Sequence, residues 1–144
     1  MSVTVEIATT ATGELLTALN QLVPQLTSNA IPLTISDVEA LIANPATSVF
    51  VAKNDGTIVG TLTLVVFPIP SGLRAWIEDV VVDEGARGLG AGASLTEAAV
   101  AESKRRGARS IDLTSRPSRE SANAMYVKLG FVQRETNVYR LSLK

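Results

Sequence analysis

The chain has 144 residues, 46% of them hydrophobic and 19% charged, and a formal net charge of −1 from 13 basic and 14 acidic side chains. That size and composition suit one globular domain, 1–144, with a core of its own, and are unlike those of a disordered segment. There is no basic excess to neutralise a phosphate backbone, so no nucleic acid is expected as a partner; with no Cys and no His, disulfides, Cys/His zinc sites, thiol nucleophiles and Ser-His-Asp triads are excluded.

Acid–base chemistry must therefore use carboxylates, Tyr, Lys, backbone amides or water, and no metal site is expected. The longest apolar runs, such as Leu62 to Phe67 before Pro68, fall far short of the roughly 20 residues that cross a bilayer. Met1 to Ile7 has no basic cluster and is interrupted by Glu6, unlike a signal peptide, so a cytoplasmic location without membrane attachment is expected.

In chain order, Val3 to Ala8 alternates apolar and polar residues with the period of a half-buried strand. Leu15, Leu16, Leu19, Leu22 and Val23 recur at helical spacing, and Pro24 is expected to end or kink that helix. Ser36 and Glu39 read as a capping box for a second, short helix closed by Asn44-Pro45. Ser48 to Lys53 and Thr57 to Phe67 are β-branched runs joined by Asn54-Asp55-Gly56, a hairpin turn signal, and Arg74 to Val82 continues the meander as a further strand. Leu89 to Arg106 is alanine-rich and ends on a basic turn before Gly107, the pattern of a long helix. Ser110 to Leu113 reads as a short strand and Ser118 to Leu129 as a helix stopped by Gly130. Phe131 onward, with Val138 to Leu143, is expected to supply final strands.

Between the Val80 to Val82 strand end and the long helix lies Arg87-Gly88-Leu89-Gly90-Ala91-Gly92. Glycines let main-chain N–H groups approach an anion closely, and the helix N-terminus behind them adds partial positive charge. The same stretch fits the dinucleotide pattern GxGxxA through Gly88, Gly90 and Ala93, with Asp112 as the ribose acid. Against that reading, five residues, Asp83 to Arg87, separate strand from glycines, a meander precedes the loop, and only one strand-helix-strand unit is evident.

Arg87, Gly90 and Gly92 resemble the R/QxxGxG/A signature of the GNAT superfamily of N-acetyltransferases. Tyr126-Val127-Lys128-Leu129-Gly130-Phe131 resembles the family's C-terminal YxKLGF element, and the order of elements is similar over essentially the whole chain. Trp76 to Val82 further resembles the IEDVVV stretch of the family's glucosamine-phosphate acetyltransferases, whereas Asp112 to Ala124 departs from them and Arg119 replaces the asparagine many members carry.

The resemblance implies an α/β (α+β) GNAT fold, with a mixed, mostly antiparallel sheet of six to seven strands flanked by about four helices. It also implies an acetyl-CoA-dependent acyltransferase acting on a primary amine, of a small molecule or a peptide, by direct attack on the thioester. Main-chain groups of Val80, Val81 and Val82 would hold the pantetheine arm, and Arg87, Gly88, Leu89, Gly90, Ala91 and Gly92 the pyrophosphate. Asn123 is a further candidate for the arm. Deprotonating an alkylammonium of pKa near 10.4 at pH 7 costs roughly 4–5 kcal/mol, so a base is needed. Glu78 is the first candidate and Asp79 the second, because they sit just before the thioester-binding stretch and point to opposite sheet faces, so that one of them is expected to face the cleft. Tyr126, protonated at neutral pH, is the candidate acid for the leaving thiolate. Arg116 and Arg119 flank the start of the last helix and read as solvated surface arginines, with contact to the cofactor's phosphates or to an acidic substrate as the other reading. A catalytically silent acyl-CoA-binding sensor is the alternative function, and exposed strand edges with an apolar C-terminus suit a homodimer.

Overall fold

The computed structural model describes residues 2–144, which divide into two units, one ending at Thr114 and one beginning at Ser115. The first unit holds strands β1 (Val3–Ile7), β2 (Thr47–Asn54), β3 (Thr57–Ile69), β4 (Gly72–Val82) and β5 (Ile111–Asp112), and helices α1 (Gly13–Leu26), α2 (Ile35–Ala43) and α3 (Ala91–Arg105). The second unit holds α4 (Glu120–Lys128).

The five strands form one sheet in sequence order, antiparallel except for the parallel β4–β5 pair. β2 and β3 are joined by Asp55 and Gly56, both at positive φ (51° and 81°), the left-handed pair that a tight hairpin requires. One face of the sheet packs on α1 and α2 through Leu15, Leu19, Val38 and Val51. The other face is covered by α3: a Cβ added to Gly60 would lie 3.3 Å from Leu95 Cδ1, so β3 and the helix approach closely there. Leu62, Leu64 and Leu95 are fully buried, each contributing roughly 1.5–3 kcal/mol of hydrophobic stabilisation.

Strand β4 contains a bulge. Thr63 pairs with Glu78 and Thr61 with Val81, so Asp79 and Val80 together face Leu62, and Asp79 takes a positive φ of 50°. The extra residue breaks the alternation of the strand. Ile77 pairs with Leu64 and Val81 with Thr61, so these two buried residues lie on opposite faces although four positions apart.

Several expectations need correction. The sheet has five strands, not six to seven: residues 131–144 adopt no strand, and Val132, Val138, Tyr139, Leu141 and Leu143 are 72–88% exposed. β-Propensity alone does not make a strand; a paired edge does, and none of these residues pairs in a ladder. Pro24 lies inside α1, two residues before its end, where a missing N–H costs only one helical bond. The capping box of α2 is Thr34 with Asp37 rather than Ser36 with Glu39, both reciprocal bonds being present. No helix is long and apolar enough to cross a membrane among the described residues.

Candidate active site

Three features of the first unit converge on the C-terminal half of β4. The first is a strand edge. β5 pairs only with Ala75 and Trp76, so from Ile77 to Val82 no strand bonds to the edge of β4 away from β3, among the described residues. Its main-chain groups there are available to an extended ligand.

The second feature is the glycine loop. β4 leads through Asp83 into a short 3₁₀ turn, Glu84–Ala86, capped by Asp83 Oδ2 accepting from the Gly85 N–H at 3.2 Å. α1 anchors this turn: Gln25 Nε2 donates to Asp83 Oδ1 at 2.9 Å, and the Glu84 N–H donates to Gln25 Oε1 at 3.2 Å. Gly88 and Gly90 then adopt φ of 89° and 79°, and a Cβ built on either meets nothing within 4 Å. Gly90 is the N-cap of α3 and supplies no side-chain bond; the first helical bond is Ser94 N–H to Gly90 O at 3.0 Å, and no acidic residue stands in the first turn. The first-turn N–H groups of a 15-residue helix thus face open space without a protein acceptor, a setting that favours an anion. Arg87 is exposed beside them, and Leu89 is half-buried.

The third feature is a cavity of about 400 Å³ on the α1/α2 face, lined by α1, the α1–α2 loop and the sheet, with Val49, Thr61, Thr63 and Asp79 at its sheet side. The bulge turns Asp79 into this lining. The Asp79 side chain makes no hydrogen bond or ion pair among the described residues. Glu78 instead accepts a short hydrogen bond from the Trp76 indole N–H. Regular alternation predicts opposite faces for residues 78 and 79; the left-handed turn at Asp79 instead brings it to the face that Glu78, paired with Thr63, already shares, and the Trp76 indole is what distinguishes the two carboxylates.

Three lining features escaped sequence reasoning. Asn20 holds the α1–α2 loop by both ends of its amide, Nδ2 donating to Leu33 O at 3.1 Å and Oδ1 accepting from Leu33 N–H at 2.8 Å. The buried Thr61 hydroxyl donates to Phe50 O at 2.8 Å. Ile31 to Leu33 form the outer wall. An amide at position 20, beside the apolar stripe of α1, was the one available signal.

In the second unit, α4 carries Asn123 and Tyr126. Asn123 Nδ2 donates to Arg116 O at 2.9 Å, so its amide fastens the start of its own helix. Tyr126 is buried, with its ring 5.8 Å from Phe131 in an edge contact. Burial pushes its phenol above the ordinary value, while the Arg119 charge pulls weakly the other way. Asp112, the ribose acid of the dinucleotide reading, is bound by Arg74 at 2.6 Å, and the largely antiparallel sheet is not a doubly wound one.

The family model described as Acetyltransferase (GNAT) family matches residues 17–131. The chain belongs to the GNAT acetyltransferase family. Among solved structures, this GNAT protein is similar to an acetyltransferase of Trypanosoma brucei, with 28% identity, TM-score 0.80, and 99% of this chain and 100% of that one covered. It is similar to a transcriptional regulator from Bacillus halodurans C-125, with 28% identity, TM-score 0.81, and coverage of 98% and 99%. Glucosamine-6-phosphate N-acetyltransferase from Arabidopsis thaliana shares the fold, with 18% identity, TM-score 0.82, and coverage of 98% and 99%. Comparison with curated proteins gave no match.

Proposed function

We propose that the whole chain, 1–144, is one acetyl-CoA-dependent N-acetyltransferase domain that transfers an acetyl group to the primary amine of a small molecule by direct attack on the thioester. The observation that carries this reading is the free Asp79 carboxylate, lining a cavity beside an unpaired stretch of β4. The residues present fit coenzyme A: the uncapped α3 N-terminus and the open space over Gly88 and Gly90 suit a pyrophosphate, and the strand edge suits an amide-bearing arm. When bound, that co-substrate supplies an activated acetyl thioester.

In this scheme the N–H groups of Arg87 to Gly92 bind phosphate oxygens, and main-chain groups of Val80, Val81 and Val82 align the arm. A main-chain N–H near Val80 donates to the oxygen that gains charge during transfer. Asp79 holds the ammonium of the acceptor and takes its proton, directly or through one water, and Glu78 stands next to it as the second carboxylate. Tyr126 returns a proton to the departing sulfur, and Asn123 supports the arm. A cytoplasmic site of action and a homodimer belong to the same proposal; for the dimer, the exposed Val138, Tyr139, Leu141 and Leu143 are the support, and sedimentation of the purified chain is the check.

The test is calorimetric titration with acetyl-CoA, with NADH as control, followed by amine-dependent release of free thiol. Saturable acetyl-CoA binding and amine-dependent thiol release are expected; NADH binding in its place refutes the reading. A catalytically silent acyl-CoA-binding module is the second reading, favoured by the likeness to the protein named a transcriptional regulator. Tight acetyl-CoA binding with no turnover on any amine selects it.

A further inference from the structure

Within the proposed transfer reaction, the cavity beneath Asp79 selects among amines by what it lacks. Its wall is apolar: Leu19, Val23 and Pro24 from α1, Ile31 and Leu33 from the following loop, and Leu41 from α2. No Lys or Arg lines it. Its polar side chains are largely committed elsewhere, because both ends of the Asn20 amide are spent on Leu33 and the Thr61 hydroxyl is spent on Phe50 O. The Asp79 carboxylate and the Thr63 hydroxyl are the lining side-chain groups with no protein partner among the described residues, whereas Asn20 and Thr61 keep only part of their hydrogen-bonding capacity for a ligand. At the rim, Ile31 is 84% exposed, an apolar side chain held in water where the cavity opens.

A phosphorylated amine entering here would set its dianion among apolar groups, near an acidic residue, with no cation to neutralise it. A polyhydroxylated amine would bury hydroxyls without partners, which costs affinity at each one. A primary ammonium on an apolar body meets neither penalty: its charge pairs with Asp79 and its body covers the lining and Ile31.

We propose that the acceptor is an unphosphorylated primary amine carrying a compact aliphatic or aromatic body, with Asp79 as the ammonium anchor and the wall from Val23 to Leu33 as the selector of that body. The proposal rests on the acetyltransferase reading for the chemistry performed, but binding alone tests it.

The purified full chain would be titrated calorimetrically with 2-phenylethylamine, hexylamine, 2-phenylethanol and glucosamine 6-phosphate, with and without saturating coenzyme A. Both apolar amines are expected to bind at least about tenfold more tightly than glucosamine 6-phosphate, and 2-phenylethylamine at least about tenfold more tightly than its alcohol. Asp79→Asn, which keeps a residue type tolerant of positive φ, should erase the advantage of amine over alcohol. Ile31→Asn, which removes the apolar cover at an exposed position without adding a charge, should weaken 2-phenylethylamine binding while the thermal midpoint holds. Equal or tighter binding of glucosamine 6-phosphate, no binding of either apolar amine in either condition, or an unchanged Asp79→Asn variant overturns the proposal. If the amines bind but no acetyl group is transferred, the enzymatic reading falls and the selectivity of the cavity stands. If only glucosamine 6-phosphate is acetylated, the reverse holds.

Discussion

The two halves of β4 make an instructive contrast. From Leu73 to Trp76 the strand is bonded on both sides, to β3 and to the segment at β5, with Arg109 N–H donating to Leu73 O at 2.8 Å and Ala75 N–H to Ser110 O at 2.9 Å. From Ile77 to Val82 it is bonded on one side, carries a bulge, and ends at the glycine loop. The same strand thus serves as scaffold in one half and as a presenting surface in the other. What separates the halves is the brevity of β5, not any difference in the apolar character of β4 itself.

Variants in each half sharpen that contrast or break it. The largest effect is expected for Asp79→Asn: kcat/KM for the best amine should fall about 10²–10⁴-fold, with circular dichroism unchanged. A loss below tenfold moves the base elsewhere. Gly90→Val puts a β-branched residue at φ 79° and fills the space over the α3 N-terminus. It should cost roughly 1–2 kcal/mol in stability and weaken acetyl-CoA at least about tenfold, read by denaturant unfolding and calorimetry. Unaltered affinity would detach the glycine loop from coenzyme A.

Tyr126→Phe is expected to slow transfer about tenfold, a smaller loss because a thiolate is already a fair leaving group. Because burial raises the Tyr126 pKa above 10.0, the phenol stays protonated through pH 9, and the wild-type rate should lose this contribution only as pH rises through the elevated value. Stability follows the same sign: the advantage of the neutral phenol is fully present below pH 10 and lost above it, so Tyr126→Phe should unfold less readily than wild type in strong alkali. An alkaline fall that persists in the variant assigns the proton to another group. The smallest effect belongs to the scaffold half. Asp112→Asn removes a partly exposed ion pair with Arg74 and should cost about 0.5–1 kcal/mol while acetyl-CoA affinity holds. A loss of affinity there would abolish the distinction between the halves.

Much of this architecture was legible in the chain. The hairpin at Asn54 to Gly56, the apolar stripe of α1 and the glycine loop feeding an alanine-rich helix are local signals, and local physics decides them. The failures are tertiary. Whether residues 131–144 form strands depends on a paired edge, which no periodicity reports. The lining of the cavity joins residues as distant as Leu19 and Asp79, and nothing in a run of seven letters around Asp79 announces a left-handed backbone. Glu78 and Asp79 were both visible as carboxylates; their different surroundings follow from the bulge and from the indole of Trp76.

The extra residue at Asp79 and Val80 acts on β4 as a frameshift acts on a reading frame. Upstream of it odd-numbered positions such as Ile77 serve the α3 side; downstream odd-numbered positions such as Val81 serve the other. Substitutions are judged locally and many will be tolerated. Insertions and deletions are judged by parity: removing Val80 would restore a single frame, turn the Asp79 carboxylate toward the Leu62 face and out of its cavity, and leave Val81 still opposite Thr61.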